Sequence, residues 1–553
     1  MKKKSVMMAG LLMATMVLGT ACGSGNESSD SSGEKSDEVT TLSFFSADLT
    51  EDDPFDNPVA KEITKRTGVK LEISHPVGGD EQAVPLMIAS GDYPDMIFAK
   101  GDIGKMIDAE ALEPLDDMIE EKGDNIKKLY GDQLVRLKNS NEDPQIYHLG
   151  TAGVKTKALA TSGTFSLQLD VLKELGYLEI NTLDEFEQAL KDYMEKYPEI
   201  DGKKTVGMSL LGSDWRWLIT VGNPAGFAAG YQDDGQWVVD DKTGEAVYKF
   251  QDEKIKEYFK WLNKMYDEGL IDPESFTQKY DTYISKLSAG NVLAVADQDW
   301  DISSAVAALK ADGKNWRTYA PLPVTLSNQE KSMSTKDYGF TGTTGISISA
   351  TSEHKEKAFE FLDWMASEEA QILCNWGIEG ENYEIKDGKR VATDLEEAST
   401  DSKYSSRTGV GAYVWPFPQW GNGAEDSTGQ PIVRTATVDL TRENYTDEEK
   451  EVLKNYDADL WTDLFPDPEE LGQAPHGRAY EISIPASSDL SVIQQRADDY
   501  TTQAITDIII SSPDDFESKW SAMQDKLEDL NIESANKEMT ELVQGRLELW
   551  GEK

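Results

Sequence analysis

The feature that most constrains the fold of this chain is an alternation of strand patterns and helix patterns that begins at residue 39. Residues 39–45 and 69–73 are apolar and β-prone, whereas 57–68 carry apolar side chains at helical spacing. A further helix pattern near 82–89 and a short apolar run at 95–98 repeat the unit. Alternation of this kind predicts an α/β fold, with a mainly parallel sheet covered by helices.

The ends of these elements carry their own signals. Asn57 and Pro58 supply an N-cap and a first-turn proline for the helix, and Gly68 supplies its end. In open α/β sheets, ligands bind at the loops that follow the carboxyl ends of the strands. We therefore expect the binding surface of this region at loops 46–56 and 99–104.

A second α/β region begins near residue 163. Its clearest signal is a capping box, in which Thr182 precedes Glu185 by three residues at the start of a helix. The sequence predicts helices at 165–175, 183–193 and 254–267, a hairpin at 236–250, and strands at 292–296 and 344–349. It also predicts a mostly helical segment at 490–550.

Length and charge bound the class of protein. A chain of 553 residues with 39% hydrophobic residues and 13 tryptophans exceeds what one core usually holds, so at least two domains are expected. The formal net charge of −48 argues against nucleic acid and against an anionic lipid surface as partners, because both would be repelled. We find no fixed-period repeat, which disfavours solenoids and propellers.

The first residues have the form of an export signal. Lysines at 2–4 precede an uncharged apolar run at 6–18, and small residues lead to Cys22. This arrangement is similar to a bacterial lipobox, in which the cysteine is acylated, although Gly19 stands where a large aliphatic residue is usual. Ordinary cleavage that leaves a free thiol is the alternative. Cys374 is the only other cysteine, so no disulfide framework is available.

Residues 1–21 are therefore expected to be a signal peptide, with Cys22 lipidated on the extracellular face of the cell membrane. Residues 22–38 have no apolar side chain to bury after the cysteine and predict a flexible linker. A linker of this length has a root-mean-square reach of roughly 20 to 25 Å. The membrane is thus expected as a partner through the lipid anchor only.

Several short motifs along the mature chain resemble extracellular solute-binding proteins of family 1, the maltose-binding-protein-like lipoproteins of bacterial ABC sugar importers. Each motif is short, and their order and spacing together carry the resemblance. They are Ser-Gly-Asp-Tyr-Pro-Asp-Met-Ile at 90–97, the passage 169–182, Gly-Leu-Ile-Asp-Pro at 269–273, Leu-Ser-Ala-Gly-Asn-Val at 287–292 and Trp-Gly-Ile-Glu-Gly-Glu-Asn-Tyr at 376–383.

The resemblance implies two α/β lobes joined by crossing strands that act as a hinge, with the ligand in the cleft between them. By analogy, residues 39–160 and 340–400 form lobe 1, and residues 161–339 and 401–553 form lobe 2 with C-terminal helices. It further implies a monomer that is not an enzyme, that captures an oligosaccharide, and that delivers it to the permease subunits of an ABC importer.

Sugar rings have apolar C–H faces, so aromatic side chains in loops are candidates for stacking on them. Two positions resemble stacking aromatics of the family: one or other of Trp215 and Trp217, and Trp300. Trp415 and Trp420 frame a double-proline loop that cannot be a regular helix. Packing between the lobes is the alternative for these last two.

Carboxylates accept paired hydrogen bonds from sugar hydroxyls, so acidic residues after strands are candidates for the polar rim. The candidates are Asp48, Asp102, Asp299 and Asp301. The alternative is that they belong to the solvated surface of a chain with 102 acidic residues.

Metal and cofactor sites have little support in the sequence, and we expect none. The four histidines are scattered, which disfavours zinc. The acidic stretches 233–235 and 240–245 match no complete calcium-loop pattern and are better explained as hairpin turns.

The rival function is a surface-anchored glycoside hydrolase or lyase. It would use two carboxylates about 5 to 10 Å apart, and among so many acidic residues such a pair can always be nominated. The absence of a Gly-x-Ser-x-Gly setting and of a phosphate loop lowers this alternative.

Overall fold

The computed structural model describes residues 39–551, apart from 50–51, 77–81, 157–158, 160, 162, 232–234, 402, 483 and 485–487. For residues 396, 399 and 400 it describes the backbone alone. Cys22 and the rest of 1–38 lie outside the described residues.

The first part of the chain alternates strands and helices in the order β1 (Thr40–Ser46), α1 (Pro58–Thr67), β2 (Val69–Ser74), α2 (Ala83–Ser90), β3 (Met96–Phe98), α3 (Ile103–Asp108), α4 (Asp116–Lys122), α5 (Asp124–Tyr130) and β4 (Leu149–Gly150). The second part contains β5 (Phe165–Gln168), α6 (Leu169–Glu174), α7 (Leu183–Lys196), β6 (Glu199–Ile200), β7 (Lys203–Lys204), β8 (Val206–Met208), α8 (Asn223–Ala228), β9 (Trp237–Val239), β10 (Ala246–Tyr248), α9 (Glu253–Asp267), α10 (Tyr280–Ala289), β11 (Val292–Ala296), α11 (Asp299–Ala311) and β12 (Tyr319–Leu322).

The remainder is largely helical. Its elements are β13 (Gly345–Ile348), α12 (Lys355–Met365), α13 (Glu368–Trp376), β14 (Tyr383–Lys386), β15 (Lys389–Ala392), α14 (Leu395–Thr400), α15 (Tyr404–Thr408), α16 (Val438–Asn444), α17 (Asp447–Asn455), α18 (Pro468–Leu471), α19 (Asp489–Ile509), α20 (Phe516–Asp529) and α21 (Ile532–Trp550).

Two larger sheets organise the molecule, and both are mixed rather than mainly parallel. In the first, ordered β2-β1-β3-β13-β4, the parallel pairs are β1 with β2 and β1 with β3. β13 pairs antiparallel with β3 and β4, because it returns from the other lobe and not through a βαβ crossover. In the second, ordered β12-β5-β11-β8, only β8 and β11 are parallel among the described strands.

Local signals predicted several helix ends correctly. The Asn57 side chain accepts a hydrogen bond from the Ala60 N–H at 2.9 Å, and Gly68 ends α1 with a positive φ of 68°. The Thr182–Glu185 capping box is present at the start of α7. The hairpin of β9 and β10 is also confirmed.

The helix predicted at 165–175 is wrong in its first half. Phe165–Gln168 is β5, whose four residues are all buried, and α6 begins only at Leu169. Both faces of β5 are covered, and its two edges pair with β11 and β12. A short apolar run that is buried on both faces carries no period that separates a strand from a helix.

Each large sheet has its own hydrophobic core, and these cores define two lobes. Lobe 1 gathers side chains from Leu42 to Leu149 and from Phe340 to Ile432. Lobe 2 gathers side chains from Phe165 to Val324 and from Val452 to Trp550. The sequence placed 401–553 in lobe 2, but Tyr404 to Ile432 pack in lobe 1, and we propose a boundary after Ile432.

In the described part of the chain, three segments connect the two cores: 151–164, 325–339 and 433–451. α21 adds a contact between them, because the Arg136 guanidinium of lobe 1 lies 4.7 Å from the centroid of a Trp550 ring. None of the helices in this part is long and apolar enough to cross a membrane.

Candidate functional site

The carboxyl ends of β1 and β3 meet at one edge of the first sheet, because the two strands are neighbours and parallel. Asp48 follows β1 and forms an ion pair with Lys100, which follows β3. The indole N–H of Trp415 donates to Asp48 at 2.8 Å, and the ring packs edge-on against Phe98. Trp415 remains 44% exposed, so this edge presents an indole beside a hydrogen-bonded carboxylate.

The carboxyl ends of β8 and β11 meet in the same way in the second sheet. Trp215 follows β8 and Trp300 follows β11, and they are 59% and 56% exposed. Their ring centroids lie 6.2 Å apart and their planes differ by 11°, so the two indoles form a stacked pair. Exposing two large apolar rings to water is unfavourable, and a pair kept in this state is typical of a binding surface.

A polar network lies next to this pair. Arg216 Nε donates to Asp301 at 2.8 Å, and Arg216 Nη1 lies 3.4 Å from Asp214. The guanidinium carbon lies 4.5 Å from the centroid of the Trp215 ring and 4.0 Å from that of Tyr280. Arg216 therefore links the loop after β8 to the first turns of α10 and α11.

Three carboxyl groups at the start of α11 have pKa values above the ordinary range. Burial raises the pKa of Asp297 to about 7, and the nearby Asp301 carboxylate adds to this, whereas a hydrogen bond from Tyr283 at 2.7 Å opposes it. Asp299 is exposed, and desolvation by the groups around its carboxylate raises its pKa to about 6. Burial also raises the pKa of Asp301, against the opposing effect of Arg216.

A cavity of about 290 Å³ is lined by residues from both lobes. Gly101 belongs to the loop after β3 in lobe 1, whereas Trp237 and Gln494 belong to lobe 2. The Trp237 indole donates to Gln494 at 3.3 Å. Thr343 comes just before β13 and also lines the cavity. This space combines an aromatic ring with amide and hydroxyl groups at the junction of the lobes.

The residues that the sequence predicts as ligand contacts fall into two groups: those at or near the sheet edges, and two tryptophans that are buried in the cores. Asp48, Trp215, Trp300 and Trp415 lie at the sheet edges as exposed rings or a surface carboxylate, and Asp299 and Asp301 begin α11 beside Trp300. Asp102 forms an ion pair with Lys105 at 2.6 Å in the turn after β3. Asp301 is a correction, because it is 2% exposed and accepts a hydrogen bond from Arg216, so it supports the surface from within. The other positions remain predictions as ligand contacts.

The structure corrects the prediction that Trp217 and Trp420 contact the ligand, because both rings are buried in hydrophobic cores. Trp217 is 4% exposed, packs on Phe250 and donates to Thr506 at 3.2 Å. Trp420 is 3% exposed and donates to the Ala366 carbonyl at 2.8 Å. Trp217 lies in a helical turn and Trp420 in an irregular segment, and the sequence around them did not show that each ring turns inward.

The sequence missed Lys100, Arg216, Trp237, Tyr480 and Gln494. Lys100 lies two residues after β3, so a charge close to a strand end was the available signal for it. Arg216 lies between the predicted Trp215 and Trp217, and that position was its signal. Trp237 lies in a strand of the predicted hairpin, where an aromatic is most simply core. Tyr480 and Gln494 reach the cavity only through the tertiary fold.

Among the residues that the structure describes, no group of three or more His, Cys, Asp or Glu side chains is placed to hold a metal ion. Asp240 accepts hydrogen bonds from the backbone N–H groups of Lys242 and Thr243, at 2.9 and 2.8 Å, which accounts for this carboxylate as part of the hairpin turn. Asp233 and Asp234 lie outside the described residues.

Comparison with known proteins decides the family. A family model described as a bacterial extracellular solute-binding protein matches residues 59–376, which is more than half of the chain. The chain belongs to this family. Membership confirms the resemblance drawn from the sequence motifs.

Two relatives of this solute-binding protein cover most of its length. Lipoprotein LipO of Bacillus subtilis is 26% identical over 484 residues, which are 84% of this chain and 88% of LipO. The fructooligosaccharide ABC transporter substrate-binding protein FusA of Streptococcus pneumoniae is 25% identical over 429 residues, which are 73% of this chain and 75% of FusA.

Solved structures share the fold of this solute-binding protein. A solute-binding protein of Bifidobacterium longum subsp. infantis matches with a TM-score of 0.65 and 17% identity, covering 93% of this chain and 99% of the other. FusA in complex with kestose matches with a TM-score of 0.64 and 18% identity, covering 91% of this chain and 99% of the FusA chain. The alginate-binding protein AlgQ2 matches with a TM-score of 0.63 and 18% identity, covering 92% of this chain and 100% of the AlgQ2 chain. The two-lobed α/β class is thereby confirmed.

Proposed function

We propose that this protein is the substrate-binding component of an ABC importer, which captures an oligosaccharide between its lobes and delivers it to membrane permease subunits. The observation that carries the proposal is the exposed stacked pair Trp215–Trp300 at the carboxyl edge of the second sheet. An extended sugar chain presents successive C–H faces to which such a pair is suited.

The edge of lobe 1 supports the same chemistry. Trp415 offers a third exposed indole, and Asp48 is held beside it by the indole N–H and by Lys100. A carboxylate fixed in this way can accept hydrogen bonds from sugar hydroxyls without having to reorganise. The relative FusA is described as a fructooligosaccharide transporter protein and has been solved with kestose.

The proposed mechanism of capture follows from the presence of aromatic rings and carboxylates at the sheet edges of both lobes. A sugar that contacts both edges at once binds the closed arrangement more tightly than the open one, and this difference in affinity shifts the population toward closure. The three connecting segments absorb the rotation, and the closed form is what the permease subunits recognise. The protein itself needs no catalytic step.

Lipidation of Cys22 would hold the receptor on the extracellular face of the cell membrane. The support is the export-signal pattern before this cysteine, together with the description of the relative LipO as a lipoprotein. Cys22→Ala should move the full-length protein from the membrane fraction to the medium. A variant that stays in the membrane fraction would contradict the lipid anchor.

The binding test is calorimetry of the protein against a panel of neutral and acidic oligosaccharides. Trp215→Ala and Trp300→Ala should each weaken binding of the best sugar about 10-fold or more, because each removes one ring of the stacking surface. Trp316→Ala is the matched control. It precedes β12 at the opposite edge of the second sheet and packs against Lys173, 3.7 Å from the ring centroid.

Two outcomes would contradict the proposal. A response to peptides or polyamines with none to any sugar would remove the oligosaccharide assignment. Slow conversion of the best sugar during overnight incubation, seen by chromatography, would favour the hydrolase or lyase alternative instead.

A further inference from the structure

Arg216 occupies an unusual position under the proposed binding surface. Its guanidinium lies between two aromatic rings, 4.5 Å from the Trp215 centroid and 4.0 Å from the Tyr280 centroid. A cation over the face of an indole attracts the ring and restrains its orientation. The orientation it restrains is the one in which Trp215 lies parallel to Trp300.

The same guanidinium is fixed from its other side. Arg216 Nε donates to Asp301 at 2.8 Å, and Asp301 is 2% exposed. Asp214 accepts the backbone N–H of Arg216 at 2.9 Å and lies 3.4 Å from Nη1. The Tyr280 hydroxyl donates to the Asp301 carbonyl at 2.7 Å, so the ring under Arg216 is tied to the helix that carries Trp300.

These contacts also determine which charges a ligand meets at the surface formed by Trp215 and Trp300. Two carboxylates lie against the one guanidinium at the Trp215–Trp300 pair. On the edge of lobe 1, Lys100 is likewise paired with a carboxylate, that of Asp48. A ligand carboxylate would have to displace one of these partners and would meet the remaining acidic groups.

We propose that Arg216 is a positioning residue that braces Trp215 parallel to Trp300, and that the surface it supports takes neutral sugar rings and excludes uronic-acid rings. This proposal rests on the proposed function for its ligand class. The bracing itself is a property of the protein without ligand, so the two parts can be tested separately.

The bracing is tested without any sugar. Two indoles at this distance give an exciton couplet in far-ultraviolet circular dichroism through the skew of their transition dipoles within the stacked planes, and Trp300→Phe should abolish the part of it that comes from this pair. Arg216→Gln should reduce the couplet by most of the same amount, because it removes the cation and one hydrogen-bond donor. Arg216→Lys should retain part of it, since an ammonium keeps the charge and loses the planar fork.

Arg442→Gln is the matched control for loss of a cation, since Arg442 forms an ion pair with Asp459 at 2.8 Å on α16 and is 47% exposed. It should leave the couplet unchanged. An unchanged couplet in Arg216→Gln, together with its loss in Trp300→Phe, would overturn the bracing. Arg216→Lys keeps the test decisive if the Gln variant does not fold.

The ligand class is tested by calorimetry with a neutral oligosaccharide and a uronic-acid oligosaccharide of equal length. We expect the neutral ligand to bind the wild type at least about 10-fold more tightly. Arg216→Gln should weaken the neutral ligand about 10-fold, and it should add little when Trp215 is already alanine, because the two residues act as one unit.

Each failure has a distinct signature. Tighter binding of the uronic-acid ligand would overturn the exclusion of acidic sugars while leaving the oligosaccharide assignment in place. Additive effects of Arg216→Gln and Trp215→Ala would overturn the positioning role. No binding of any sugar by the wild type would defeat the proposed function, and the couplet would still decide the bracing.

Discussion

Among single residues, Asp297 is the clearest case of a carboxyl group whose pKa the fold raises above its ordinary value. It is 3% exposed, accepts a hydrogen bond from Tyr283, and lies near the Asp301 carboxylate and the Arg216 guanidinium. Its pKa rises from 3.8 to about 7 in the folded protein. The fold therefore holds a proton there that the unfolded chain has released between about pH 4 and pH 7.

This difference has a definite sign. Because the folded state binds more protons than the unfolded state in that interval, the stability contributed by Asp297 is full below its unfolded pKa and is lost as pH rises through about 7. Asp297→Asn removes the titration and still accepts a hydrogen bond from Tyr283. Relative to wild type, the free energy of unfolding of this variant should rise between pH 4 and pH 8, by at most about 4 kcal/mol.

Urea unfolding at each pH measures the effect, and Asp240→Asn is a control of opposite sign. Backbone N–H groups of Thr243 and Lys242 lower the pKa of Asp240, so its ionised form stabilises the fold at neutral pH and this stability is lost toward acid. Asp240→Asn should therefore be more destabilised at pH 8 than in acid below pH 3.8, where the folded wild type takes up the proton at Asp240. A pH-independent difference for Asp297→Asn would contradict the raised pKa.

At the scale of elements, helix ends were predictable because their signals are local. Asn57 caps α1 through its own side chain, and Thr182 and Glu185 form their capping box within four residues. The same locality explains why the strands β1 and β2 were found. A side chain that bonds its own backbone needs no tertiary information.

Elements whose identity depends on partners were predicted less well. β5 is a strand because β11 and β12 lie on either side of it, and neither neighbour is adjacent in sequence. The antiparallel direction of β13 depends on its return from the other lobe. The inward turn of Trp217, two residues from the exposed Trp215, depends on Phe250 and Thr506, which lie far along the chain.

The candidate site was predictable in part for the same reason. Residues that closely follow a strand lie near the sheet edge whatever the rest of the chain does, and Asp48 and Trp300 both lie there, while their contact with a ligand stays a prediction. Arg216 needed its partners Tyr280 and Asp301 to show its role. Pairing between distant segments is set by packing and not by local pattern.

At the scale of the whole molecule, the arrangement of two cores and three connecting segments determines how binding can be coupled to shape. The cavity between the lobes takes Gly101 from one side and Trp237 from the other. α21 belongs to the core of lobe 2, and its last residue, Trp550, contacts Arg136 of lobe 1. Arg136 also donates to the Phe340 carbonyl, next to the second connecting segment, so we expect closure to bring the sheet edges together about this contact.

The last prediction concerns this closure and uses the best neutral oligosaccharide from calorimetry. At a ligand concentration about 100 times Kd, binding to the folded state alone adds about 2.7 kcal/mol to stability. Closure should in addition lower the radius of gyration measured by small-angle X-ray scattering, because solvent leaves the cleft. Trp215→Ala, at a concentration that saturates only the wild type, should keep the larger radius. A wild-type scattering curve that does not change while calorimetry shows full occupancy would mean that the lobes bind without closing, and recognition by the permease would then require another signal.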